Sequence, residues 1–258
     1  MCGRYSFVLE IGAAESAVDD RYPAIDVRWD PASRDRYADD GGSYNVAPGS
    51  RNPVVTRESP ERLRLHRWGL VPHWADDGSE WNAINARSET VHENGVFREC
   101  FRERRCLVPA QGFYEWRERD DGPSEPYRIV PRDAPHDLFL FAGVWSAWTP
   151  PERQASLGVF GDDAVDEVTG DETGAGGGAL HSYAILTMPA NDAVAPIHDR
   201  MPVALRDDEL ATWLRGSPDE ARELLDEAGL ASHEVATERV SRAVNDAGND
   251  GEELWRAV

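Results

Sequence analysis

The chain has 258 residues, 40% of them hydrophobic, with 27 basic against 48 acidic side chains and a formal net charge of −21. All 27 basic residues are arginine, and without lysine there is no Walker-type phosphate loop, no pyridoxal Schiff base and no lysine aldolase chemistry. The longest apolar run, Leu138 to Trp145, is far short of the roughly 20 residues a membrane helix needs. Three cysteines, Cys2, Cys100 and Cys106, lack CxxC spacing, which argues against a disulfide framework or a zinc site. No charged-then-apolar leader opens the chain, so the expected place is a reducing cytoplasm and not a membrane. The acidic, lysine-free surface suits a high-salt cytoplasm, where about 1 M salt screens repulsion within about 3 Å; an acidic protein of ordinary salt is the plainer alternative.

Charge is unevenly spread, with 18 arginines and 23 acids in residues 1–130 against 9 and 25 in residues 131–258. In chain order, Gly12 to Asp20 predicts a short helix and Asp39 to Gly42 a small loop. Arg62 to His66 alternates apolar and basic residues, the period of a half-buried strand. Arg98 to Arg105 reads as a short basic helix. Strands are expected at Cys106–Val108, Gly112–Trp116, Pro126–Val130, Leu138–Trp145, Tyr183–Thr187 and Met201–Leu205. Asp162 to Gly178, acidic and glycine-rich, reads as a disordered surface loop. Two helices close the pattern, Asp207–Leu214 and Pro218–Ala228, the second with Ser217 as N-cap and proline at its first position. This is a strand-rich α+β chain with late helices, read as a single domain over residues 1–258.

The chemistry starts at Met1-Cys2-Gly3-Arg4. Cysteine is small enough that removal of the initiator methionine is expected, which frees an α-amine beside the Cys2 thiol. That amine has an ordinary pKa of about 7.7–8.0, against about 10.4 for a lysine, so part of it is neutral at pH 7. A 1,2-aminothiol condenses with an aldehyde and closes to a thiazolidine; the bland alternative is a buried cysteine in a first strand. Four further segments stand out: Tyr44-Asn45-Val46-Ala47-Pro48, a polar-then-proline turn; Trp68 to Trp74, two tryptophans around a Gly/Pro-broken loop; the polar cluster Asn85 to Thr90; and His198-Asp199-Arg200 just before a strand. Between them Glu115 stands among aromatics, where desolvation lifts a carboxyl into general-acid range. Each has a structural alternative: Glu115 facing solvent, His198 as a bonded structural histidine, the tryptophans as core, the arginines as solubility.

Together these segments resemble the SRAP family (SOS response-associated peptidase), from Cys2 through to Val240–Asn245. The resemblance implies one SRAP-like domain with a curved, mainly antiparallel β-sheet or barrel core flanked by helices. It implies a protein of the DNA damage response that shields abasic sites in single-stranded DNA, with Cys2 forming a thiazolidine crosslink to the ring-opened sugar. Asn85 would hold Cys2 and sense the sugar, Glu115 would be the acid/base that opens the ring, and His198 would hydrogen-bond the sugar oxygen. Arg4, Arg87 and Arg200 would grip phosphates, Trp68 and Pro48 would pack against bases, and Asn45 joins this DNA-binding set. No metal and no cofactor is implied; the partner is abasic single-stranded DNA, the expected state a monomer, and the expected place the cytoplasm, at the nucleoid when bound. The peptidase label implies at most removal of Met1. The chain departs from the family pattern in the apparent insertion at 162–178 and in Ser146 after Trp145.

The residues agree with this without the resemblance. Attack on an aldehyde needs an amine, and only Cys2 can supply one in a lysine-free chain. Sequence-independent strand binding needs guanidinium groups and stacking rings, which the first half offers. The charge of −21 is awkward for a DNA binder because phosphate contacts weaken with salt; a local arginine groove and a covalent bond would reconcile the two. An N-terminal-nucleophile amidohydrolase and a noncatalytic single-strand-binding module are the alternatives.

Overall fold

Alternating apolar and polar residues run through most of the chain, and its strands sort into two sheets. The computed structural model describes residues 2–23, 26–132, 138–151 and 178–258. In chain order the first strands are β1 (Arg4–Phe7), β2 (Arg28–Trp29), β3 (Ser43–Val46), β4 (Arg51–Thr56), β5 (Arg62–Trp68) and β6 (Asn85–Arg87). They are followed by β7 (Arg105–Ala110), β8 (Gly112–Arg117), β9 (Glu125–Pro131), β10 (Phe139–Trp148), β11 (Leu180–Pro189), β12 (Arg200–Pro202) and β13 (Val235–Arg239).

One sheet runs β12-β11-β10-β7-β4-β5-β2, and β5 also pairs with β11, so β4, β5, β11, β10 and β7 close into a barrel. The closing pair is parallel, Ser182 with Arg67 and Tyr183 with Trp68; the other four barrel seams are antiparallel. Further along β11, β6 takes over the parallel seam with Asn85 opposite Ile185, and β12 pairs on the other side. The second sheet, β13-β9-β8-β1-β3, is antiparallel throughout. Both sheets feed one hydrophobic cluster, in which Cys2, Tyr5, Phe113 and Ile129 join Leu63, Trp68, Phe141 and Leu186. The architecture is the expected α+β one, a curved β core flanked by helices.

The helix Pro218–Glu227 starts as its sequence dictates: Ser217 accepts from the Glu220 N–H at 3.2 Å and Glu220 accepts from the Ser217 N–H at 2.7 Å, a capping box worth about 1 kcal/mol. Three expectations need correction. Asp39 and Asp40 close a helix, Pro31–Asp40, that Asp30 caps by accepting from the Ser33 N–H at 3.0 Å. The helix beginning at Arg98 stops at Glu103, and Arg105 opens β7. Its side chain is fully buried and forms no ion pair among the described residues; it donates to Phe101 O and Gly216 O and lies over the rings of Phe101 and Trp213. The late helix begins at Leu210, not Asp207. The acidic, glycine-rich 162–178 segment lies, but for Gly178, outside the described residues.

Candidate active site

Cys2 stands just ahead of β1 and is wholly buried, its thiol donating to Arg4 O at 3.6 Å. Asn85 reaches it from the barrel: the side-chain Nδ2 donates to Cys2 O at 2.8 Å. The parallel seam between β6 and β11 fixes that reach, and Trp68 steadies it by donating from Nε1 to Ile84 O at 2.9 Å. The Asn85 Oδ1 is buried with no hydrogen-bond partner among the described residues, an acceptor held open on the side chain that holds Cys2.

Glu115 comes from β8, which pairs with β1 so that Arg4 faces Tyr114. Only 2% of it is exposed. Burial, aided by the negative charge of Asp199, raises its carboxyl to about 7. His198 brings Nε2 to 4.0 Å from Glu115 Oε2, while its Nδ1 accepts from the Arg200 N–H at 2.9 Å. Burial, and then the charge of Glu115, push the Cys2 thiol well above its ordinary value, so at rest the sulfur keeps its proton. Cys2, Asn85, Glu115 and His198 thus meet from four separate stretches of chain. An acid/base group poised near neutrality sits beside a nucleophilic residue.

The expected DNA-binding residues divide. Arg87 is exposed on β6. Pro48 is half-buried in the turn after β3, where Gly49 takes a φ of +95°. Arg200 is largely enclosed, with its guanidinium bonded to both oxygens of Glu89. Arg4 donates to Asn45 Oδ1 at 2.8 Å and Val244 O at 2.8 Å. Asn45 is buried, its Nδ2 shared among the carbonyls of Val244, Asp246 and Asn249. Both side chains therefore hold the C-terminal segment against the second sheet, and the turn read at Tyr44–Pro48 is strand as far as Val46. Trp68 has no exposure and packs at 5.1 Å against Tyr5. It is a core prop behind Asn85 with no face to offer a base. The exposed tryptophan of that loop is Trp74, edge-on to Trp81 at 5.1 Å.

Three residues that the sequence left without a role complete the surroundings. Asp199 places Oδ1 3.1 Å from His198 Nδ1, and Thr187 and Glu89 enclose Arg200. Asp199 could have been flagged by its place between His198 and Arg200. The Glu89 pairing spans 111 residues and leaves no local signal. Among the described residues no three His, Cys, Asp or Glu side chains gather in a way that could hold a metal ion, and no helix is long and apolar enough to cross a membrane.

The family model of SOS response associated peptidases (SRAP) matches residues 1–247. The chain belongs to the SRAP family. Among its SRAP relatives, the abasic site processing protein YoqW of Bacillus subtilis (strain 168) is 32% identical, with 98% of each chain covered. The abasic site processing protein YedK of Escherichia coli (strain K12) is 29% identical over the whole of both. A crystal structure of a protein from Bacteroides thetaiotaomicron, 23% identical, superposes over both full chains with a TM-score of 0.76, so the fold extends to it as well.

Proposed function

We propose that this SRAP protein recognises abasic sites in single-stranded DNA and shields them by a covalent bond through Cys2. The observation that carries the reading is the meeting of Cys2, Asn85, Glu115 and His198 around one buried thiol. The names of its relatives, abasic site processing proteins, support it.

The chemistry begins with hydrolysis of the Met1–Cys2 bond, which consumes one water and frees the Cys2 amine. This is the only peptidase step in the proposal. The abasic deoxyribose is a cyclic hemiacetal; opening it moves a proton onto the ring oxygen and takes one from the C1′ hydroxyl. Glu115, with its carboxyl near pH 7, can give and take these protons, and His198 can hydrogen-bond the ring oxygen. The amine then adds to the aldehyde carbon, and the carbinolamine loses one water to give an imine. Finally Cys2 Sγ bonds to the imine carbon and its proton passes to nitrogen, closing a five-membered thiazolidine. No oxidant or cofactor is needed. Burial keeps the thiol protonated until that last step, so the amine attacks first. The open Asn85 Oδ1 is available to accept from a sugar hydroxyl.

Grip on the strand needs no base reading: Arg87 offers an exposed charge, and the abasic sugar is selected by its aldehyde. The covalent bond holds where ion pairs alone are screened, which fits a monomer of charge −21 working in the cytoplasm.

The test is incubation with a single-stranded oligonucleotide bearing one abasic site, followed by a denaturing gel. A heat-stable shifted band with the native chain, absent in Cys2→Ala and in a variant that retains Met1, is the expected result. No band with native protein, or an equal band with Cys2→Ala, overturns the proposal. Undiminished noncovalent binding as the sole activity would instead favour a simple binding module.

A further inference from the structure

Arg200 is the one expected phosphate-gripping residue that already holds an anion. Its Nη1 donates to Glu89 Oε1 and its Nη2 to Glu89 Oε2 at 2.9 Å, a bidentate fork on the carboxylate. The same Nη2 donates to Thr187 O at 2.6 Å, while Nε is buried with no partner among the described residues. The Arg200 side chain is 12% exposed and that of Glu89 45%, so the carboxylate covers the solvent side of the guanidinium. Hydrogen bonds from the Arg200 guanidinium, with a smaller part from its charge, hold the Glu89 carboxyl down at about 2, against the effect of burial. Arg87 lies across the same stretch of β11, with Thr187 opposite both Arg87 and Pro202. Arg87 is exposed, and no ion pair forms on it among the described residues.

We propose that Glu89 is a built-in competitor for the DNA phosphate at Arg200, so that this contact forms by exchange of one anion for another. The inference rests on the DNA-binding reading above. The bidentate geometry a guanidinium offers a carboxylate is the one it offers a phosphate, so the two anions compete for the same edge. A phosphate landing on a bare arginine releases a counterion and steepens the salt dependence of binding by about 0.7 per contact on a single strand. At Arg200 the displaced carboxylate gathers a cation of its own, which cancels that gain. The Arg200 contact therefore orients the strand without adding to the salt slope, whereas Arg87 contributes in full. Glu89 also penalises loosely bound, undamaged strands that never settle against Cys2, and so acts as a specificity residue.

The test is equilibrium binding of an undamaged single-stranded oligonucleotide across a salt series, with capture of an abasic one measured in parallel. Glu89→Gln should bind the undamaged strand about fivefold more tightly at low salt, the loss of an exposed ion pair's worth of competition. Its log–log salt slope should steepen by about 0.7. Arg200→Gln alone should leave the slope unchanged, and in the Glu89→Gln background it should abolish the gain. Glu89→Ala, with folding checked by circular dichroism, gives the same comparison without a hydrogen-bonding side chain. If the wild type captures abasic DNA yet both Glu89 variants leave affinity and slope unchanged or weaken binding, Glu89 is a mere prop for Arg200 and the inference fails. If the wild type neither binds nor captures DNA at any salt, the functional reading falls first and takes this inference with it.

Discussion

Two regions along β11 bury ionisable groups beside aromatics, with opposite results. Where β6 and β12 join β11, Glu115 is buried near Asp199 and its carboxyl rises to about 7. Toward the start of β11, the rings of His66 and His181 meet at 5.1 Å, tilted by 55°, with Trp145 against both. There burial, and then nearby arginines, push His181 down to about 4, and burial, followed by His181 and the arginines, pushes His66 well below its ordinary value. Burial favours the neutral form in both places. The difference lies in where each group starts: a buried carboxyl climbs into the neutral range, while a buried imidazole drops out of it. Only the Cys2 end of β11 is thus equipped to exchange protons near pH 7, although the other end holds more histidine.

The comparison breaks most sharply on Glu115. Glu115→Gln keeps the shape and removes the proton, so crosslinking should slow about 100-fold and lose its pH dependence around 7; an unaltered rate profile would place the acid/base elsewhere. The raised carboxyl also carries a stability signature. The folded state holds a proton that the unfolded chain releases near pH 4.3, so stability falls as pH rises from there to about 7. Glu115→Gln should therefore gain roughly 4 kcal/mol over wild type at pH 8 and nothing at pH 4, read from denaturant melts.

At the histidine pair the sign reverses. His181 is neutral when folded and charged when unfolded below about pH 6.5, so its contribution is lost as pH falls from 6.5 to about 4. His181→Gln should flatten that acid limb by roughly 3 kcal/mol and leave stability above pH 7 little changed. An unchanged limb would mean that the pair is already solvated.

Asn45→Ala strips three carbonyls of their shared donor and Arg4 of an acceptor. A loss of about 2 kcal/mol follows, with faster hydrogen exchange confined to residues 240–258. Asn85→Ala removes a single hydrogen bond to Cys2 O, costing about 1 kcal/mol of stability and an expected loss of about tenfold in crosslinking rate. A greater loss than that of Glu115→Gln would reverse their ranking.

Much of this organisation could be read in the residues because local chemistry carried it. Ser217-Pro218 announces a helix start, and Gly112 to Trp116 announces a strand with Glu115 among rings. The helix Pro31–Asp40 has an equally good start in Asp30-Pro31, yet buries only Tyr37 and so lacks an apolar stripe to betray it. β13 escaped notice because only Val235 of its five residues is buried, so it carries little apolar alternation. Trp68 looked like a stacking ring because nothing local marks barrel closure, which seals it inside through a parallel pairing with Tyr183. Arg4, Asn45 and Arg200 looked like free phosphate ligands because the partners that decide their roles, Asn45 and Val244 for Arg4, Asp246 for Asn45 and Glu89 for Arg200, lie 41 to 240 residues away. Chemistry that one residue type performs was legible; chemistry shared across the fold was not.

Mass spectrometry of the protein after reaction with an abasic single-stranded oligonucleotide tests the central claim most directly. The account predicts a single adduct on the N-terminal peptide, with Met1 absent and Cys2 carrying the sugar. Its mass should be the sum of the reactants less one water, with Cys100 and Cys106, both buried free thiols, unmodified. An adduct on any other residue, or on a chain that keeps Met1, would contradict it.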